Sequence, residues 1–326
     1  MSHHILEMSV VLITLNHYEV IRKAIQCLRA QTARDRLEII IVAPSVQELE
    51  LDESELKGFG RWRVEEVGPI ESTGEALARG VRKATAPVVA YAEEHAYPHP
   101  GWAEALIKAH RQSWAAVGCV LINANPTTTI SWADMFTGQG RWLEPLPAGP
   151  TLGTPPHQTV YKSEILLDYG PELGAMLEAE PVLHDDLRAR GYELYLESAA
   201  KVNHLNVSRI FSLIGLKFYA ARCYEAERAR HGRWSLWRRL LNIAVAPLIL
   251  GARLTRSLSE MRRVRRTGKL PLPVLPALLV ALMADAAGKI MSNAFGVGDA
   301  RQKMTSFELS RYRHVAERDR KLTTQR

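Results

Sequence analysis

Hydrophobic and polar positions in the first 125 residues follow two alternating rhythms. Residues 9–14, 37–42, 88–92 and 115–122 are short apolar runs rich in Val and Ile, bounded by polar or turn residues, and they read as buried strands. Residues 62–67 offer one more strand. Between these runs, residues 19–30 place Val20, Ala24 and Leu28 on one helical face, and residues 71–84 and 102–112 also read as helices. Residues 45–57 are polar and acidic, which predicts a loop or short helix. Strands alternating with helices predict an α/β fold with a mostly parallel, doubly wound sheet. The turn after the first strand reads Thr14-Leu15-Asn16-His17. It lacks the glycine fingerprint of a dinucleotide enzyme, so that class is disfavoured.

The run at 88–92 stops abruptly at Glu93-Glu94-His95. Side chains at the carboxyl end of a strand in an open α/β sheet face the crevice where ligands bind. On a continuing strand Glu93 and His95 would share a face and Glu94 would point the other way. A carboxylate and an imidazole together suit a divalent cation or a phosphate. A solvated polar turn is the other reading of these three residues.

Charge divides the chain sharply. Residues 1–206 carry 18 Lys/Arg against 27 Asp/Glu, whereas residues 207–326 carry 24 against 8, for a total of +7. The basic second half predicts a polyanionic partner. Residues 240–252 are nearly all apolar and follow Trp234, Trp237, Arg238 and Arg239; residues 270–284 are apolar again after Arg262, Arg263, Arg265, Arg266 and Lys269. Each run is shorter than the ~20 residues of a spanning helix, and the second is interrupted by Pro271, Pro273 and Pro276. Flanking Trp and Arg predict interfacial or re-entrant helices on an anionic membrane surface, with core helices of a helical appendage as the alternative. Nucleic acid is disfavoured, because basic and aromatic residues flank the apolar runs and do not interleave with them. The expected division is therefore residues 1–206 as an α/β domain and 207–326 as a membrane-associating tail, with 307–326 loosely ordered. Cys27, Cys119 and Cys223 form no closely spaced pair, which points to a reducing compartment. No charged-then-apolar leader precedes residue 9, so the first half is expected on the cytoplasmic side.

The order of these motifs resembles the family 2 inverting glycosyltransferases of GT-A fold, from about residue 8 to 206. Residues 9–16 look like that family's first strand and nucleotide-binding turn, and Ala30-Gln31-Thr32 followed by residues 38–42 looks like its first helix end and second strand. Residues 74–80 resemble the segment before the metal-binding strand, and Glu93-Glu94-His95 stands where Asp-x-Asp is usual. The resemblance implies that Thr14, Asn16, Arg79 and Glu93 contact a nucleotide-sugar donor. It also implies that Glu93, His95 and His204 hold a divalent cation. Two histidines and a carboxylate favour Mn²⁺ over Mg²⁺, whose preferred shell is all oxygen. Ala43-Pro44-Ser45 follows the second strand where the family often has a base-contacting carboxylate, which leaves the nucleotide base open.

Residues 153–162 resemble the acceptor-lining loop and strand, with His157 and Gln158 as acceptor-binding residues. Counting back eleven residues from Gly191 places Glu180 at the family's base position, at a helix start, with Asp186 as the competing candidate. The expected function is a hexosyltransferase-type enzyme at the cytoplasmic face of the cell membrane, acting in polysaccharide biosynthesis on a lipid-linked or glycan acceptor. A catalytically inactive GT-A scaffold that binds a partner at the membrane is the alternative.

Overall fold

Buried parallel strands appear where the continuous apolar runs predict them. The computed structural model describes residues 5–15, 17–268, 270 and 273–324; Asn16, Lys269 and Pro271 lie outside the described residues. The described residues build a nine-stranded sheet from β1 (Met8–Ile13), β2 (Leu37–Ala43), β3 (Arg61–Glu66), β4 (Val88–Ala92), β5 (Ala96–Pro98), β6 (Ala116–Asn123), β7 (Gly149–Thr151), β8 (Thr159–Lys162) and β9 (Leu194–His204). The order is β3-β2-β1-β4-β8-β6-β9-β5, and β7 pairs with β9. Strands β3, β2, β1 and β4 run parallel, whereas β8 is antiparallel to both β4 and β6. The mixed α/β class of the sequence reading is therefore observed. All residues of β1, β2 and β4 are buried, as expected for parallel strands covered on both faces.

One buried strand position breaks the apolar pattern. Glu38 on β2 is fully buried and accepts hydrogen bonds from the Ser9 hydroxyl at 2.6 Å, the Thr85 N–H at 2.8 Å and the Thr85 hydroxyl at 2.9 Å. Arg63 from β3 reaches its other oxygen at 3.3 Å. Truncation would leave these donors facing an apolar gap. Glu38→Ala is expected to lower unfolding free energy by about 3 kcal/mol in urea titrations. A loss below about 1 kcal/mol would show that the network contributes little.

Two compact units are distinguished, the first holding the described residues of 1–122, 146–204 and 323–326, the second those of 123–145 and 205–322. Within the second unit, helix Leu275–Phe295 packs along helix Ile210–His231. Gly288 permits the close approach, since a Cβ there would lie 2.2 Å from the Phe218 carbonyl oxygen. Two expectations for this region change. The second apolar run becomes a 21-residue helix of mean hydropathy 1.5, long and apolar enough to cross a membrane. It continues past residue 284 because Asp285 is neutralised by Arg253 and by Lys289 at 3.0 Å. The expected loose tail is also corrected: Val315 is fully buried, Arg311 is buried against Glu308 at 3.1 Å, and Asp319 accepts the Asn125 amide at 3.1 Å. The apolar run at 240–252 is divided between helices Leu236–Ala244 and Ala246–Arg265, bent by 55° where Pro247 enters the second helix.

Candidate active site

The carboxyl ends of β1, β2 and β4 bring Thr14, Ala43 and Glu93 to one edge of the sheet, where an open α/β sheet binds its ligands. Thr14 is buried and its N–H donates to the Val42 carbonyl at 3.0 Å. After Ala92 the chain does not continue as a strand. Glu93, Glu94 and His95 form a turn, closed by the Ala96 N–H donating to the Glu93 carbonyl at 3.2 Å. The turn, and not strand alternation, brings Glu93 and His95 together, and Glu94 is buried as well.

Strand β5 then pairs antiparallel with β9, setting Ala96 opposite His204. This ladder delivers a histidine from residue 204 to one at residue 95. Their rings meet edge to face with centroids 5.0 Å apart. The Glu93 carboxylate lies between them, with Oε1 3.6 Å from His95 Nε2 and Oε2 3.5 Å from His204 Nε2. All three residues are buried, and their ligand atoms lie within 4.8 Å of one another. Ligands sharing one ion at ~2.1 Å stand ~3–3.5 Å apart, so the donor set fits a divalent cation. Burial alone would raise the Glu93 pKa, but the imidazoles of His95, His204 and His157 outweigh it and hold the carboxyl below its ordinary range.

A second buried carboxylate belongs to Glu180, the first residue of helix Glu180–Ala189. Its Oε2 accepts the backbone N–H of His157, and its Oε1 accepts the Tyr161 hydroxyl at 2.8 Å. The His157 ring nitrogen Nδ1 stands 3.8 Å from Oε2. Burial raises the Glu180 pKa, and the Glu93 charge adds to that, while His157 and the Tyr161 hydroxyl only partly oppose it. The adjacent Gln158 donates its side-chain amide to Glu93 Oε2 at 2.5 Å. His157 and Gln158 thus connect the two carboxylates. His157 takes a left-handed backbone conformation, φ +62°, which lets consecutive residues turn toward different partners. Gly118 on β6 makes room for the preceding loop, since a Cβ there would meet Pro155 Cδ at 2.6 Å and Thr154 Cβ at 2.7 Å.

Two further expected site residues are placed on helices. Arg79 is exposed on helix Thr73–Lys83, away from the face formed by Ala76, Leu77 and Ala78. Asp186 accepts the Tyr169 hydroxyl at 2.6 Å. Asp186 lies six residues beyond Glu180, which rotates its side chain by about 240° around the helix. Asn16 lies outside the described residues. Sequence reasoning missed Tyr161 and His184. The only available signal was spacing: His184 is one helical turn beyond Glu180.

Residues 9–167 match the profile of the family described as Glycosyl transferase family 2. This stretch, which carries Glu93, His95, His157 and Gln158, belongs to that family, and the protein is a glycosyltransferase. Glu180, Asp186 and His204 lie beyond the matched residues. No curated protein matches the chain. Among solved structures, S. aureus TarS 1–349 in complex with UDP is similar at 12% identity and a TM-score of 0.44, over 89% of this chain and 92% of that one.

Proposed function

We propose that the enzyme transfers a sugar with inversion from a nucleotide-sugar donor to a lipid-linked or glycan acceptor, with Glu180 as base. The supporting observation is the pair of buried carboxylates held by consecutive residues, one among histidines and one at a helix start. Glu180 accepts the proton of the acceptor hydroxyl as that oxygen attacks the anomeric carbon opposite the leaving nucleoside diphosphate. Its helix-start position favours the ionised form, whereas its burial excludes competing water. Glu93, His95 and His204 would hold the divalent cation; bound there, such an ion neutralises charge on the departing diphosphate. Two imidazoles in the set favour Mn²⁺ over Mg²⁺. Thr14 and Glu93 line the donor crevice. The test is a thermal-shift panel of UDP-, GDP- and TDP-sugars with and without Mn²⁺. At least one donor is expected to stabilise the protein, and more strongly with Mn²⁺. No stabilisation by any donor under any metal condition would favour an inactive scaffold.

The second unit supports a peripheral position on the cytoplasmic face of the cell membrane. Leu236, Trp237, Leu240, Leu241 and Leu248 are 80%, 77%, 56%, 55% and 74% exposed, and lie along the bent helix pair. An exposed apolar stripe of this size is costly in water. Arg233 and Arg238 are exposed nearby in the sequence, and the Arg238 guanidinium lies over the Trp234 ring, 4.7 Å from its centroid. Basic residues flanking an apolar face fit anionic headgroups. By contrast, helix Leu275–Phe295 buries Leu278, Ala281, Leu282 and Gly288, so the first run supplies the better contact face. Replacing Trp237, Leu240 and Leu241 by Ser is expected to reduce binding to phosphatidylserine-containing liposomes at least about tenfold in cosedimentation. Unchanged binding would remove this face from the account. Truncation is a poorer test, because it would strip Leu275–Phe295 from the helix on which it packs.

A further inference from the structure

Beyond the two carboxylates, a chain of buried polar groups runs from Glu180 into the loop before β8. Tyr161 Oη lies 2.8 Å from Glu180 Oε1 and 2.7 Å from His184 Nε2. The same His184 nitrogen lies 3.1 Å from Thr154 Oγ1. Thr154 Oγ1 is 2.8 Å from Thr159 Oγ1, which is itself 2.8 Å from the Pro155 carbonyl oxygen. All four side chains between the ends, Tyr161, His184, Thr154 and Thr159, are buried.

The positions of the protons follow from the two ends. An ionised Glu180 can only accept, and so can the Pro155 carbonyl. Glu180 therefore takes the single Tyr161 proton, and Pro155 takes that of Thr159. Thr154 must then donate to Thr159, which leaves the lone pairs of Tyr161 Oη and Thr154 Oγ1 open to accept. The nitrogen between them is His184 Nε2. A neutral imidazole protonated at Nε2 shares its one proton between them, mainly toward the nearer Tyr161 Oη, whereas the opposite tautomer would compete with Glu180 for the Tyr161 proton. His184 is suited to this form, since burial, aided by the Arg188 charge, lowers its pKa to about 3.

We propose that His184 and Tyr161 are positioning residues: His184, held as its neutral Nε2–H tautomer, directs the Tyr161 proton onto Glu180 and keeps that carboxylate oriented and ionised. This rests on the reading of Glu180 as the base. The groups facing Glu180 are Tyr161 on β8, His157 in the loop before it, His184 on its own helix and Glu93 after β4. With the Tyr161 donor in place, protonation of Glu180 weakens that hydrogen bond, because a charged carboxylate accepts more strongly than a neutral carboxyl. A packing role alone would leave the affinity of Glu180 for protons unchanged when shape is preserved.

The test uses the full chain and needs no substrate. Nitrogen chemical shifts of labelled histidine report the tautomer, and carboxyl carbon shifts of labelled glutamate report protonation of Glu180. The Glu180 signal is assigned by its loss in Glu180→Gln, and the His184 signal by its loss in His184→Gln. A neutral Nε2–H signal for His184 that persists from pH 7 to 5 is expected. Tyr161→Phe is expected to raise the proton affinity of Glu180 about tenfold, the worth of one such hydrogen bond. His184→Leu should raise it in the same direction by a smaller factor. His184→Gln, whose amide can still donate, should stay closer to wild type. An Nδ1–H tautomer, a lowered proton affinity in His184→Leu, or no shift in Tyr161→Phe would overturn the proposal. Melting temperatures identify any variant that fails to fold, and the histidine shifts of the unaltered protein still decide the tautomer. Failure of the base reading shows separately, as Glu180→Gln turning over a donor at the wild-type rate.

Discussion

Glu180→Gln is expected to lower turnover by about 10²–10⁴-fold, the usual contribution of a positioned base. Gln matches Glu in size and its carbonyl oxygen can still accept a hydrogen bond, so the fold should persist. The chemical capacity to take a proton is lost. Because burial raises the Glu180 pKa, the active, ionised form accumulates only above the ordinary carboxylate value of 4.5. The rate should therefore fall as pH falls through that raised value, and this acid limb should be missing from the residual activity of Glu180→Gln. Asp186→Asn serves as the contrast. Its carboxylate is held by Tyr169 on another side of the helix, so turnover should remain within about twofold. A large loss in Asp186→Asn with a small one in Glu180→Gln would reverse the assignment.

The second large effect concerns the histidines. His204→Ala removes one of three converging donors and leaves Glu93 buried with fewer partners. Affinity for Mn²⁺ in the presence of a nucleoside diphosphate is expected to fall by more than the roughly 10–100-fold seen for outer-shell partners. His95→Asp should behave differently. It exchanges nitrogen for oxygen in the donor set and is expected to shift preference toward Mg²⁺. Titration calorimetry with each ion measures both outcomes. Equal Mn²⁺ affinity in His204→Ala would remove β9 from the cation site.

These two sites were legible in the sequence to different depths. Strands β1, β2 and β4 are buried on both faces, so their apolar runs are continuous and their limits fall within a residue or two of those expected. The approach of His204 to His95 depends on an antiparallel ladder between residues more than 100 apart in sequence. Periodicity cannot show such pairing, and only the family resemblance supplied it. The turn at 93–95 is one of two readings the sequence leaves open, because polar residues at a strand end obey no period. His184 looked like one polar residue among several, since its meaning comes from Tyr161 on β8 and Thr154 in the loop before it. In the second unit, Asp285 seemed to end an apolar run. Its charge is neutralised by Arg253, 32 residues away, and the helix continues. Local pattern therefore revealed the elements, whereas long-range pairing determined the site.

The most direct measurement is anomalous diffraction at the manganese edge from crystals soaked with Mn²⁺ and a nucleoside diphosphate such as UDP or GDP. One strong peak contacted by Glu93, His95 and His204 is expected, with the diphosphate beside it and the Glu180 carboxylate facing the same crevice. A nucleotide bound elsewhere, or manganese bound away from these three residues, would refute this assignment of the site.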